Sequence, residues 1–246
     1  LSEKALTTGR ICYIIKLIYG GIFCKKGVYD MKSLVSASLL GCDLADIRSE
    51  IKNIEKAGAD WLHCDVMDGC FVNNISFGTP VLKCVRKASD LPMDTHLMIN
   101  DPIRYIDDYA GLGSDYITFH LEAAPDPQAV IDRIHSHGKF AGISIKPATP
   151  VSEVEPYLAT ADMVLVMTVV PGFGGQKFIP ATLEKISEIR YMLDSMGRDK
   201  VLIEVDGGIN AETVKFCREA GADVMVSGSY LFGAEDKAAA VKSLKV

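Results

Sequence analysis

His63-Cys64-Asp65-Val66-Met67-Asp68-Gly69 is the stretch from which both fold and chemistry can be read. It continues the apolar pair Trp61-Leu62 and ends in a glycine turn, the pattern of a buried strand that stops where a loop begins. Side chains alternate along a strand, so His63, Asp65 and Met67 share one face and Cys64 and Val66 take the other. An imidazole and a carboxylate two residues apart on one strand can grip one divalent metal ion. A hydrogen-bonded polar pair at a strand end is the alternative for a lone His-x-Asp. Two further patterns change the balance. Thr95-His96-Leu97-Met98 and Glu204-Val205-Asp206-Gly207-Gly208 each also put a ligand-type side chain at the end of an apolar strand.

Outward from this strand, the chain repeats one rhythm. Strands are expected at residues 34–40, 61–67, 93–98, 116–120, 140–145, 163–168, 201–205 and 224–227. Helices are expected between them at 43–57, 80–88, 102–110, 127–137, 150–158, 180–196 and 211–220, with a last one running to about 245. Asp43 is positioned as an N-cap, and Gly58, Gly138 and Gly221 as stops. Strands alternating with helices call for a parallel sheet, and eight such units in about 215 residues call for a closed (β/α)8 barrel. An open doubly wound sheet would carry Gly-x-Gly-x-x-Gly after its first strand, where this chain has only Leu40-Gly41-Cys42-Asp43. Ser38, His63, Asp65, His96, His120, Lys146, Met167, Asp206 and Ser227 fall at or near the C-terminal strand ends, the face on which barrel active sites are built.

Composition narrows the class. Of 246 residues, 48% are hydrophobic and 24% charged, with a mean hydropathy of +0.17, which supports one large core. A net charge of −6 argues against nucleic acid as a partner. The seven cysteines are scattered, odd in number and free of any Cys-x-x-Cys, as expected for free thiols in a reducing, cytoplasmic compartment. Residues 1–30 differ from the rest, with five basic side chains against Glu3 and Asp30. Their apolar part is too short and too broken to span a membrane. They are expected to be an N-terminal extension outside the fold, with Met31 as the natural start and 31–246 as the barrel domain.

Late in the chain, glycines gather. Pro171-Gly172-Phe173-Gly174-Gly175-Gln176, Gly207-Gly208 and Gly228-Ser229 follow three successive strands. Backbone N–H groups in such loops converge on an anion without side-chain obstruction, and a phosphate held after the last strands of a barrel is a recurrent arrangement.

Taken together, the motifs Leu62-His63-Cys64-Asp65-Val66-Met67-Asp68-Gly69-x-Phe71-Val72, His96-Leu97-Met98, Val166-Met167-Thr168-Val169-x-Pro171-Gly172-Phe173-Gly174-Gly175-Gln176 and Val205-Asp206-Gly207-Gly208-Ile209 make the chain, from about Met31 onward, resemble the ribulose-phosphate 3-epimerase family. The resemblance implies a TIM barrel that interconverts D-ribulose 5-phosphate and D-xylulose 5-phosphate. It implies one divalent ion on His63, Asp65, His96 and Asp206, usually zinc, with iron or manganese as alternatives. Asp65 and Asp206 would be the acid/base pair. Ser38, His63, His96, Gly172, Phe173, Gly174, Gly175, Asp206, Gly207, Gly208, Gly228 and Ser229 would contact the substrate, and Met67, Met98 and Met167 would line the pocket. The implied partner is a small sugar phosphate, with no nucleic acid or membrane, and the chain would be a homo-oligomer.

Three positions depart from the family pattern: Asn73 where proline is usual, Lys146 where asparagine is usual, and Val170 where a polar residue is common. Lys146 and Val170 leave room for a longer ketose phosphate such as allulose 6-phosphate. Lys146 is also the one lysine placed to form a Schiff base in a phosphosugar lyase on the same barrel. A non-catalytic sugar-phosphate binder would have no need of two opposed acids.

Overall fold

A computed structural model describes residues 33–246. The expectation for residues 1–30 lies outside these described residues. Eight parallel strands, β1 Leu34–Ser38, β2 Trp61–Met67, β3 Met93–Met98, β4 Tyr116–His120, β5 Phe140–Ile145, β6 Met163–Met167, β7 Leu202–Asp206 and β8 Val224–Ser227, form a barrel closed by pairing of β1 with β8. Around it run α1 Ile47–Lys56, α2 Thr79–Ala88, α3 Ile106–Gly111, α4 Pro127–Ser136, α5 Val151–Val154, α6 Thr182–Ser195, α7 Thr213–Ala220, α8 Ser229–Phe232 and α9 Lys237–Leu244. This is a (β/α)8 TIM barrel.

Two local differences from the sequence reading have physical causes. The first strand ends at Ser38, because Leu39–Gly41 tightens into a 3-10 turn in which Cys42 N–H bonds to Leu39 C=O at 3.3 Å. Gly41 is needed in that turn: a Cβ there would lie 2.6 Å from the backbone carbon of Gly228. The last helix is two helices, since Asp236 accepts from Ala239 N–H at 2.9 Å and starts a new one.

Alternate strand residues divide the interior. Outward-facing Val35, Leu62, Ile117, Phe119, Val164 and Ile203 join Ile51, Leu82, Ile131 and Ile189 from the helices in one core between barrel and helices. Each such buried side chain contributes roughly 1.5–3 kcal/mol, so the strands stand on a rigid base. Inside the barrel, the floor is apolar: Trp61, Met163 and Val224 pack with Leu34, Tyr116 and Leu202, and the Trp61 and Tyr116 rings stack at 4.5 Å. Above the floor the same inward positions turn polar. Register sets His63 beside Asp94, Asp65 beside His96 and Met67 beside Met98, while Leu165 and Met167 lie beside Glu204 and Asp206.

Candidate active site

Asp65 stands at the centre of the polar interior. Its Oδ1 lies 3.2 Å from His63 Nε2 and 3.3 Å from His96 Nδ1, and its Oδ2 accepts the Ser38 hydroxyl at 2.7 Å. Asp206, brought in by β7, places Oδ2 at 3.8 Å from His96 Nδ1. One donor atom from each of His63, Asp65, His96 and Asp206 can be chosen so that all four lie within 4.8 Å of one another.

A second tier lies one strand position deeper. His63 Nδ1 is 2.6 Å from Asp94 Oδ2, which also accepts the Ser36 hydroxyl at 2.9 Å. Glu204 completes the tier, with Oε1 at 3.9 Å from His63 Nδ1. Burial, and then the charge of Asp94, push the Glu204 carboxyl well above the usual range, so it holds a proton. Glu204 Oε1 and Oε2 and Asp94 Oδ1 are buried with no other hydrogen-bond partner, and the one acid proton of Glu204 suits one of its oxygens and Asp94.

Charge is unevenly shared. Burial raises the Asp65 carboxyl, but the neighbouring His63 and His96 outweigh it and hold it far below the usual value. Asp206, its side chain 18% exposed, is pushed up to about 6 by burial and by the charge of Asp65. Burial lowers His63, yet Asp94 and Asp65 more than reverse this and raise it well above its ordinary value. The carboxylates thus draw positive charge to the space between His63 Nε2 and Asp65. Two imidazole nitrogens and two carboxylate oxygens, one imidazole already bonded through its other nitrogen, suit a divalent ion of the zinc, iron or manganese kind. On donor chemistry and spacing the residues fit a metal ion.

The cluster opens into a cavity of about 330 Å³ at the C-terminal end of the barrel. Ser38, Asp65, Asp206 and the buried Met67, Met98 and Met167 form its floor and walls. Residues 172–176, 207–209 and 227–229 close its other side, so every glycine of the three late loops reaches the cavity. Gly207 and Gly208 have φ of +121° and +66°, and a Cβ on Gly208 would meet the Phe178 nitrogen at 2.5 Å. The loop after β6 is tied inward by Gln176, whose Nε2 donates to Val170 and Phe173 carbonyls at 2.6 and 2.8 Å. It is tied across the mouth by Asn74, which donates to Gly172 C=O at 2.8 Å.

His63 and His96 are fully buried beneath the cavity and do not line it; Asp65 and Asp206 stand between them and the opening. His120 is buried behind His96, with Nε2 at 2.9 Å from His96 Nε2 and Nδ1 at 3.2 Å from Glu122 Oε2. Burial pushes His120 down to about 4, against the opposing pull of Glu122. Lys146 does not reach the cavity: its Nζ sits over the Phe71 ring, 3.7 Å from the centroid. Val170 is 62% exposed and also lies off the cavity lining. Sequence reading missed Ser36, Asp94 and Glu204 as supports of the cluster. The available signal was the two-residue period, which sets Asp94 on the face of His96 and Glu204 on that of Asp206.

Comparison with known proteins agrees with this geometry. The chain is 46% identical over 211 residues to the ribulose-phosphate 3-epimerase of Bacillus subtilis (strain 168), covering 86% of this chain and 97% of that protein. It is 44% identical over 211 residues to the protein of that name from Methanocaldococcus jannaschii, covering 86% and 89%. Among solved structures, a 3-hexulose-6-phosphate synthase shares the fold with a TM-score of 0.62 at 20% identity, over 87% of this chain and 98% of that one. KGPDC from Streptococcus mutans shares it with a TM-score of 0.66 at 14% identity, over 87% and 96%. A profile of the ribulose-phosphate 3-epimerase family matches residues 34–232, which hold all four clustered side chains and the three glycine loops, and the chain belongs to that family.

Proposed function

We propose that this protein interconverts D-ribulose 5-phosphate and D-xylulose 5-phosphate, with Asp65 and Asp206 as the acid/base pair at C3. The observation that carries the proposal is the placement of two carboxylates, from strands three steps apart around the barrel, on one cavity beside two imidazoles. Inversion at C3 removes a proton from a carbon next to a carbonyl and returns one to the opposite face. A single base does not serve both faces, so one aspartate takes the proton, the other delivers one, and an enediolate lies between. Ser38 fixes the orientation of Asp65 through its hydroxyl.

His63, Asp65, His96 and Asp206 are the proposed ligands of one divalent ion, zinc or alternatively iron or manganese. When bound, such an ion supplies a Lewis acid that spreads the negative charge developing on the substrate oxygens. Met67, Met98 and Met167 give the reacting carbon an apolar wall that keeps bulk water off the intermediate. Backbone N–H groups of residues 172–175, 207–208 and 228–229 are the proposed phosphate cradle. Lys146 and Val170 lie off the cavity lining, which supports the pentose phosphate over a longer sugar and over Schiff-base chemistry at Lys146. The free thiols of Cys42, Cys64, Cys70, Cys84 and Cys217 fit a reducing compartment such as the cytoplasm.

The test is a coupled assay of ribulose 5-phosphate turnover, with allulose 6-phosphate in parallel, before and after chelation. The pentose phosphate is expected to be preferred, with activity lost on chelation and restored by Zn2+. Asp206→Asn is expected to lower kcat by about 10²–10⁴-fold with an unchanged circular dichroism spectrum. Undiminished turnover in the folded variant would remove Asp206 from its role, and preference for the hexose phosphate would change the substrate.

A further inference from the structure

We propose that His120 and Glu122 are positioning residues for His96: they fix the tautomer that leaves His96 Nδ1 free for a metal ion. This rests on the metal assignment made above. His96 Nδ1 faces Asp65 Oδ1 at 3.3 Å and Asp206 Oδ2 at 3.8 Å, whereas its Nε2 faces His120 Nε2 at 2.9 Å. Two ring nitrogens at that separation share one hydrogen bond, so one ring donates and the other accepts.

Which one donates is decided further out. His120 Nδ1 lies 3.2 Å from Glu122 Oε2. An ionised carboxylate only accepts, and the other Glu122 oxygen, Oε1, already takes the Lys146 N–H at 2.8 Å and the Thr149 hydroxyl. His120 therefore carries its proton on Nδ1. A neutral imidazole has one N–H, so His120 Nε2 accepts and His96 Nε2 donates, and Nδ1, the ring nitrogen that faces the two aspartates, is the one offered to a metal ion in place of a proton. His63 is steered to the same space by opposite atoms: Asp94 takes its Nδ1 and leaves Nε2 toward Asp65.

The surroundings hold this chain of bonds in one arrangement. His96 and His120 are fully buried, and the Phe71 ring covers His120 at 4.7 Å between centroids. Lys146 packs its Nζ against the same Phe71 ring and gives its backbone N–H to Glu122. Lys185 Nζ donates to the carbonyls of Lys146 and Thr149, fixing the loop that supplies both donors to Glu122. The loop after β5 is thus connected to the metal cluster through Glu122, His120 and His96, without touching the cavity.

Glu122→Gln tests this with little change of shape. Its amide oxygen is expected to keep Lys146 N–H and Thr149, which turns the NH2 toward His120 Nδ1, donor against donor, and reverses the proton order along the chain. Zn2+ affinity, measured by competition with a chromophoric chelator, is expected to fall about 10–100-fold from the wild-type value. Long-range proton–nitrogen NMR spectra of the metal-free wild type are expected to show His96 protonated on Nε2, and those of Glu122→Gln to show a shift toward Nδ1. His120→Leu, which keeps the site filled but removes the acceptor, is expected to lose Zn2+ affinity similarly. If both variants bind Zn2+ like the wild type and the His96 tautomer is unchanged, the positioning role is wrong while the metal assignment stands. A wild-type protein that binds no Zn2+ overturns the metal assignment and this inference with it.

Discussion

Asp94 shows how a side chain remote from the cavity can carry the site. It is fully buried, accepts from Ser36 and His63, and adjoins the acid form of Glu204. Asp94→Ala would leave His63 Nδ1–H and the Ser36 hydroxyl without their acceptor in the buried interior, and a loss of about 3–5 kcal/mol in urea unfolding is expected. Glu122 provides a pH test at the same scale. Burial raises its carboxyl, but bonds from His120, Thr149 and Lys146 N–H outweigh this and bring it to about 2, from an ordinary 4.5. A lowered folded pKa stabilises above the unfolded value and is lost as pH falls through the folded one. The melting-temperature gap between wild type and Glu122→Gln is therefore expected to be full near neutrality and to shrink as pH falls below 4.5 toward 2; a gap constant across that range would contradict the assignment. His63 and Asp65 were legible as a pair because both lie on one strand, where spacing alone sets the shared face. Asp94 was not, because its partners lie on other strands, and which residues become neighbours depends on a register that only the closed barrel fixes.

Strands and loops divide the work of the barrel between rigidity and reach. The bounds of β2, β3, β4, β5 and β8 were legible to the residue, since each is an apolar run cut off by glycine, proline or a polar cluster. The end of β1 was not, because its 3-10 turn depends on Gly41 fitting against Gly228, a contact between residues far apart in sequence. The same holds for the loop after β6. Its glycines mark the proposed anion loop, but its brace comes from Asn74 on the loop after β2. Asn74→Ala removes one hydrogen bond from a half-buried surface pair, worth about 0.5–1.5 kcal/mol. Because the bond holds a wall of the cavity and no part of the core, the expected outcome is a raised KM for the sugar phosphate, with kcat and melting temperature little changed. A melting temperature that falls with KM unchanged would make the contact a structural one. Gly208 should be less tolerant, as any side chain there meets the Phe178 backbone.

At the scale of the whole molecule, the barrel closes on itself from Ser33 onward. Strand β1 pairs with both β2 and β8, and Ser33 bonds through its N–H and its hydroxyl to the carbonyl of Val246, so both ends of the described chain meet at the barrel floor. Every side chain of the cluster, the cavity and its supports lies between Ser36 and Ser229. The family profile begins at residue 34, and the Bacillus subtilis relative matches over 97% of its own length while leaving 14% of this chain unmatched. Residues 1–30 carry five basic and two acidic side chains, so their removal leaves 21 basic against 30 acidic residues and a more acidic protein. That excess of negative charge opposes the approach of an anionic sugar phosphate, and the site must draw it in through local backbone dipoles. Deleting residues 1–30 is therefore expected to leave the melting temperature and kcat unchanged. At low ionic strength the loss of five cations is expected to raise KM slightly, an effect that vanishes as salt screens it. A large drop in melting temperature would show that the segment completes the barrel domain, and a fall in kcat at every salt concentration would give it a part in the active site.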